Sequence, residues 1–173
     1  MYTVINKLSY YLNKAVEIVV ILLISALTIM TAIGIIARYV TGQPVIWLYE
    51  TTVVTFSWAV FLGMSVAFKM RDHIALDIIT KHIPRKFKKG FMIFLTLLTI
   101  VFLVFAVKEG YHIILKTAPQ KYQTIDLSTA WFYGSFAVGA LVSLVHVFDE
   151  LFGIILNKIN IFEEKEINLN VMG

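Results

Sequence analysis

The stretch that decides the fold runs from Ala15 to Ala37 and reads AVEIVVILLISALTIMTAIGIIA. It holds one charged side chain, Glu17, and no proline. A helix needs about 20 apolar residues to cross a hydrocarbon core of about 30 Å, and this run supplies them. A soluble domain could not hide so long an apolar run from water.

Three more segments of this kind follow, from about Trp47 to Phe68, Phe91 to Val107 and Ala130 to Phe148. The chain is 59% hydrophobic with a mean hydropathy of +0.82, whereas a soluble domain is nearer half apolar. The expected fold is therefore an all-α membrane protein with four transmembrane helices in a single domain over residues 1–160. Residues 161–173 read as a flexible tail of mixed charge on the cytoplasmic side. Lys7 and Lys14 before the first apolar run imitate a signal peptide, but the run is too long and lacks a small-x-small site before Arg38, so it reads as a retained helix.

Orientation follows from the positive-inside rule. The N-terminal stub, the link between the second and third spans and the C-terminal tail carry eleven Lys and Arg; the other two links carry four. Both termini are expected in the cytoplasm. The first link, Arg38 to Ile46, contains Gly42 and Pro44 and makes the first two helices antiparallel neighbours. Short interfacial amphipathic helices are expected at Tyr2 to Asn13, with Tyr2, Tyr10 and Tyr11 at headgroup level, and at His73 to Lys81. In the latter, His73, Asp77 and Lys81 line a polar face opposite Ile74 and Ile78. Glu109 to Lys116 reads as an extension of the third helix beyond the bilayer.

The net charge of +4 belongs to loops facing anionic lipid, and no nucleic-acid partner is implied. The absence of cysteine excludes disulfides and thiolate metal sites. His73, His82 and His112 fall in links or at helix ends, so no facing histidine pair is available for haem. No phosphate loop, dinucleotide fingerprint or nucleophile elbow occurs. No cofactor, metal or catalytic centre is expected, and the chain does not read as an enzyme.

Ionisable groups inside spans cost about 2.5–3.5 kcal/mol at mid-bilayer on insertion scales, so each needs a partner or a role. Arg38 and Glu50 flank the short first link and are expected to pair, stapling two helices; a contact from Glu50 to an ion, substrate or partner is the other reading. Glu17 sits at headgroup depth or pairs with Lys14, or else serves as a proton-coupling carboxylate. His146 reads as a hydrogen-bonded packing residue. Small residues recur at spacing four, as Ala59, Gly63 and Ala67 in the second span and Ser135, Gly139 and Ser143 in the fourth. Such stripes let helices approach closely, within the four-helix unit or against another membrane protein. No proline interrupts a span and polar groups are sparse, so a substrate path through this chain alone is poor. These features describe an accessory subunit; the alternative is a small proton-coupled antiporter using Glu17.

The motifs resemble the small membrane subunit of tripartite ATP-independent periplasmic (TRAP) transporters. Arg38-Tyr39, Gly42-x-Pro44, and Trp47 with Glu50 match that family's Arg-Tyr, Gly-x-Pro and Trp-x-Glu-Glu. Gly63, Ser65-Val66-Ala67 and His73 with Asp77 match a second block, and Trp131 with Val138-Gly139 a third. The resemblance covers roughly residues 5–155. Tyr49 stands where the family has a first Glu, which puts that residue's contact in doubt, and Ser128-Thr129 occupy the region of a usual proline. The resemblance implies a sodium-coupled importer of organic acids. A periplasmic binding protein captures the solute, a large membrane subunit moves it, and the small subunit binds the large one about one-to-one as a scaffold in the inner membrane. The likeness leans to sialic-acid members, although solute choice belongs to the other two subunits.

Overall fold

The computed structural model describes residues 2–70 and 85–156, with side chains over 5–70 and 87–156. His73, Asp77 and the interfacial helix expected around them lie outside the described residues, as does the tail.

Among the described residues there are four helices: α1 (Tyr2–Thr41), α2 (Ile46–Met70), α3 (Arg85–Thr117) and α4 (Ala130–Ile155). Each contains a stretch long and apolar enough to span a membrane. The separate surface helix expected over Tyr2 to Asn13 is not formed. No glycine or proline occurs between Tyr2 and Ile33, so nothing breaks the backbone ladder, and the segment continues into the first span as one helix of 40 residues. At 1.5 Å per residue its length is about 60 Å, twice the hydrocarbon core. α3 likewise runs past Val107 to Thr117, including the extension expected over Glu109 to Lys116.

Gly42 ends α1. Its φ of 70° is the left-handed conformation that a side chain would oppose, and its N–H donates to the Arg38 carbonyl at 3.0 Å, closing the last turn. Pro44 follows and α2 begins two residues later. Ser128 lies just before the start of α4. Its Oγ accepts from the Ala130 N–H at 3.1 Å and donates to the Ala118 carbonyl at 2.9 Å, fastening the preceding loop to the first residue of the helix, whose N-cap residue Thr129 makes no side-chain cap bond.

The helices form a row, α1–α2–α4–α3, with α4 as the hub. α4 packs against α2 and α3 and, to a lesser extent, against α1; α1 leans mainly on α2. One apolar cluster joins α3 to α4 through Leu103, Ala106, Ala140 and Val147. A second joins α1, α2 and α4 through Val16, Leu62 and Val142. Where α2 meets α4, no side chain fits at Gly139, because a Cβ there would lie 2.6 Å from the Phe61 carbonyl oxygen. Ser135 and Ser143, one turn to either side of Gly139, are fully buried. The small-residue stripe of α4 therefore packs inside this chain, where it lets two backbones touch. The α2 stripe is mixed: Ala59 is buried, Gly63 faces Val20 of α1 and Ala67 is exposed.

The outer surface is apolar. Ile21, Leu22, Ile29, Ile33 and Ile36 of α1 and Phe94, Leu98, Phe102 and Phe105 of α3 are all exposed. On a soluble protein so large an apolar surface would mark an interface; on a membrane helix it is the lipid face or a partner's seat.

Candidate functional site

Among the described residues, the charged side chains and the polar contacts between elements gather at the two ends of the bundle. One end holds the α1–α2 and α3–α4 links; the other holds the start of α1 and the ends of α2 and α4.

At the linker end, Glu50 does not pair with Arg38. Its carboxylate instead accepts three backbone hydrogen bonds from the α3–α4 loop: Gln123 N–H at 3.2 Å, Thr124 at 3.0 Å and Ile125 at 3.1 Å. The expected Arg38–Glu50 staple is corrected, because both Glu50 carboxylate oxygens are taken by these amides. The physical reason is entropic. Arg38 is exposed on its helix and would have to freeze a long side chain to reach an acid, whereas three consecutive amides in a turn are already aligned to receive an anion. Glu50 still acts as a staple, joining α2 to the loop between α3 and α4.

The loop is tied off by Thr129 N–H to the Gln120 carbonyl (2.8 Å) and Tyr122 N–H to the Leu127 carbonyl (3.0 Å). Burial pushes the Tyr122 hydroxyl above the ordinary tyrosine value, with Tyr133 and the Glu50 carboxylate adding to the rise. The Lys121 ammonium holds the exposed Asp126 carboxyl below the usual range. Trp58 Nε1–H donates to the Trp131 carbonyl at 3.1 Å, pinning α2 to the first turn of α4. Arg38, Tyr39, Trp47 and Tyr49 remain exposed, with Tyr39 at 86% and Tyr49 at 72%. The family-motif residues thus divide: Glu50 turns inward to the loop, while Arg38, Tyr39 and Trp47 face outward.

At the terminal end, Lys69 of α2 and Asp149 of α4 form an ion pair at 2.7 Å, with the Asp149 side chain 1% exposed. Asn6 of α1 donates to both Asp149 oxygens at 3.3 Å, so three helices meet at one carboxylate. One turn along, Ser9 Oγ and His146 Nδ1 lie 2.8 Å apart. Asn13 Nδ2 then donates to Glu17 at 2.6 Å. Glu17 has Asn13 rather than Lys14 as its partner, and His146 is a buried, hydrogen-bonded packing residue, as its place in the sequence suggests.

Sequence reasoning did not find this cluster, although half of it left a signal. Asn6, Ser9, Asn13 and Glu17 fall three or four residues apart, on one face of α1. Lys69 and Asp149 are 80 residues apart, and only the fold brings them together. The residues closest to metal-ligand chemistry stay dispersed: among the described residues, no group of three His, Cys, Asp or Glu side chains could hold an ion.

Residues 27–157 match the family model described as "Tripartite ATP-independent periplasmic transporters, DctQ component". The chain is similar to the "Sialic acid TRAP transporter small permease protein SiaQ" of Vibrio cholerae, with 21% identity over 87% of each chain. It is 26% identical to the "C4-dicarboxylate TRAP transporter small permease protein DctQ" of the same organism, over 49% of this chain and 36% of that one. It is 27% identical to the "Sialic acid TRAP transporter permease protein SiaT" of Haemophilus influenzae, over 81% of this chain but 22% of that longer one. Two of these curated relatives are thus spanned over about a third and about a fifth of their length. The family match extends over more than half of the chain and includes Glu50, the Trp58–Trp131 tie and the Lys69–Asp149 pair, and the matched relatives are transporter subunits, not enzymes. This multi-pass protein of the bacterial inner membrane therefore belongs to the DctQ component family of TRAP transporters and is a small subunit of one.

Proposed function

We propose that this subunit is a scaffold without a transport path of its own. It binds a large permease about one-to-one in the membrane and supports that permease's import of an organic acid, driven by sodium and fed by a periplasmic binding protein. In this reading both termini are cytoplasmic and residues 1–160 act as one unit.

One observation carries the reading. Every serine and threonine of α2, α3 and α4, and those of α1 beyond Ser9, donates its hydroxyl hydrogen to a carbonyl of its own helix, as Thr28 does to Ile24 (2.9 Å) and Thr96 to Met92 (2.9 Å). A carboxylate crossing the bilayer needs converging donors or a broken helix that presents backbone amides. Among the described residues the spans offer neither at mid-membrane, which supports a chain that holds no charged solute there.

The relative SiaT supports the choice of partner. The matched region is 22% of that permease, so a unit like this one exists in one polypeptide with the rest of a permease. The relative matched over 87% of its length carries the name of sialic acid, which makes a sialic acid the first solute to test. The test is expression of the chain with and without a large TRAP permease. A one-to-one complex in mild detergent is expected. Quantitative purification of a chain that ignores the permease would sink the scaffold reading.

A further inference from the structure

Among the described residues, two buried side-chain atoms lack a hydrogen-bond partner: Asn13 Oδ1 and His146 Nε2. They belong to side chains 9% and 2% exposed. Such atoms are rare in folded proteins, and leaving one unsatisfied costs about 1–3 kcal/mol.

Their chemistry is complementary. Ser9 is fully buried, and among the described residues its hydroxyl has His146 Nδ1 as its partner, at 2.8 Å. Unlike the other span hydroxyls, it does not turn back on its own helix. Its hydrogen therefore goes to Nδ1, which must be the bare nitrogen of a neutral ring, leaving the ring hydrogen on Nε2. Nε2–H needs an acceptor. Asn13 Oδ1 needs a donor, because the Asn13 amide nitrogen already donates to Glu17 at 2.6 Å.

Position agrees with chemistry. Ser9 and Asn13 lie one turn apart on α1, a rise of about 6 Å, or roughly two hydrogen-bond lengths. A cation would be repelled by Nε2–H and an anion by Oδ1. At this burial a partner protein's side chain cannot reach either atom. The molecule that accepts from one and donates to the other is water.

We propose that one buried water bridges His146 Nε2 to Asn13 Oδ1. It completes a chain of donors running one way, from Ser9 to His146, water, Asn13 and Glu17. The water is then part of the joint between α1 and α4, which pack against each other less than either packs against α2.

Two measurements on the full chain in lipid nanodiscs, with its permease where they co-purify, test this. A cryo-EM map that resolves ordered water should show density within hydrogen-bond reach of both atoms, and His146→Phe should remove it. Solid-state ¹⁵N spectra should show the His146 ring neutral, with hydrogen on Nε2 and Nδ1 bare; the His146→Phe sample identifies the signal by its loss. A dry site, a direct Asn13–His146 bond, or hydrogen on Nδ1 would each overturn the proposal.

Discussion

Gly139→Ala is the sharpest single-atom perturbation of the fold. The added Cβ would sit 2.6 Å from the Phe61 carbonyl oxygen, 2.8 Å from its carbonyl carbon and 2.8 Å from its Cβ. These atoms are backbone or bound to it, so no rotamer change relieves the contact. Restoring ordinary contact distances requires α2 and α4 to part by roughly 0.7–1 Å, and gaps of that size forfeit a quarter to a half of the dispersion energy of the facing atoms. Overpacking of this kind costs about 1–3 kcal/mol, against which alanine recovers up to about 1 kcal/mol of helix propensity. A net loss of about 1–2 kcal/mol is expected. The control lies on the same helix: a Cβ at Gly134 meets nothing within 4 Å, so Gly134→Ala should be neutral or slightly stabilising. Thermal unfolding of the two variants in one detergent, followed by tryptophan fluorescence, makes the comparison. Equal midpoints would refute the claim that α2 and α4 touch backbone to backbone at Gly139.

Further expectations follow from the two polar ends. Asp149→Asn should destabilise strongly, by about 3–5 kcal/mol if it strands the Lys69 charge; Lys69→Met with Asp149→Leu should recover much of that loss, and a double change no better than the single one would count against the pair. Glu50→Ala should expose the α3–α4 loop to limited proteolysis, because it frees the amides of residues 123–125. Arg38→Ala should leave cleavage unchanged, and the two effects should be additive; coupling between them would restore the Arg38 pairing rejected above. The Lys121–Asp126 pair lowers the folded-state pKa of Asp126, so its small contribution is present above the ordinary carboxylate value and lost as pH falls through the lowered one. High salt should weaken it at neutral pH, since both groups are exposed. An Asp126 pKa at or above that of a free aspartate, read by ¹³C NMR, would contradict the assignment.

The spans were legible because hydropathy over about 20 residues is a coarse signal that neighbours cannot override. The limits of α1 were not, because a continuous apolar-to-amphipathic helix and a surface helix joined to a span differ only in whether something breaks the backbone between them. Only the lack of glycine and proline before Gly34 bears on that. Glu50 was expected to pair with Arg38, but its partners are amides, which no side-chain pattern announces. The α4 stripe left packing within the unit and docking on a partner both open, and it is the position of Phe61 against Gly139 that places this face inside the chain. The polar cluster at the terminal end escaped notice because Asn and Ser read as interfacial decoration until Lys69, His146 and Asp149 arrive from distant positions. His73 and Asp77 belong to the motif but lie outside the described residues.

Solute uptake in proteoliposomes tests the central claim most directly. With binding protein and a sodium gradient supplied, vesicles holding this chain together with its large permease should accumulate labelled sialic acid or another organic acid. Vesicles holding this chain alone should accumulate none of it, and Glu17→Gln should leave the complete assembly active. Gradient-driven uptake by the chain alone, abolished by Glu17→Gln, would contradict the scaffold and make this protein a transporter in its own right.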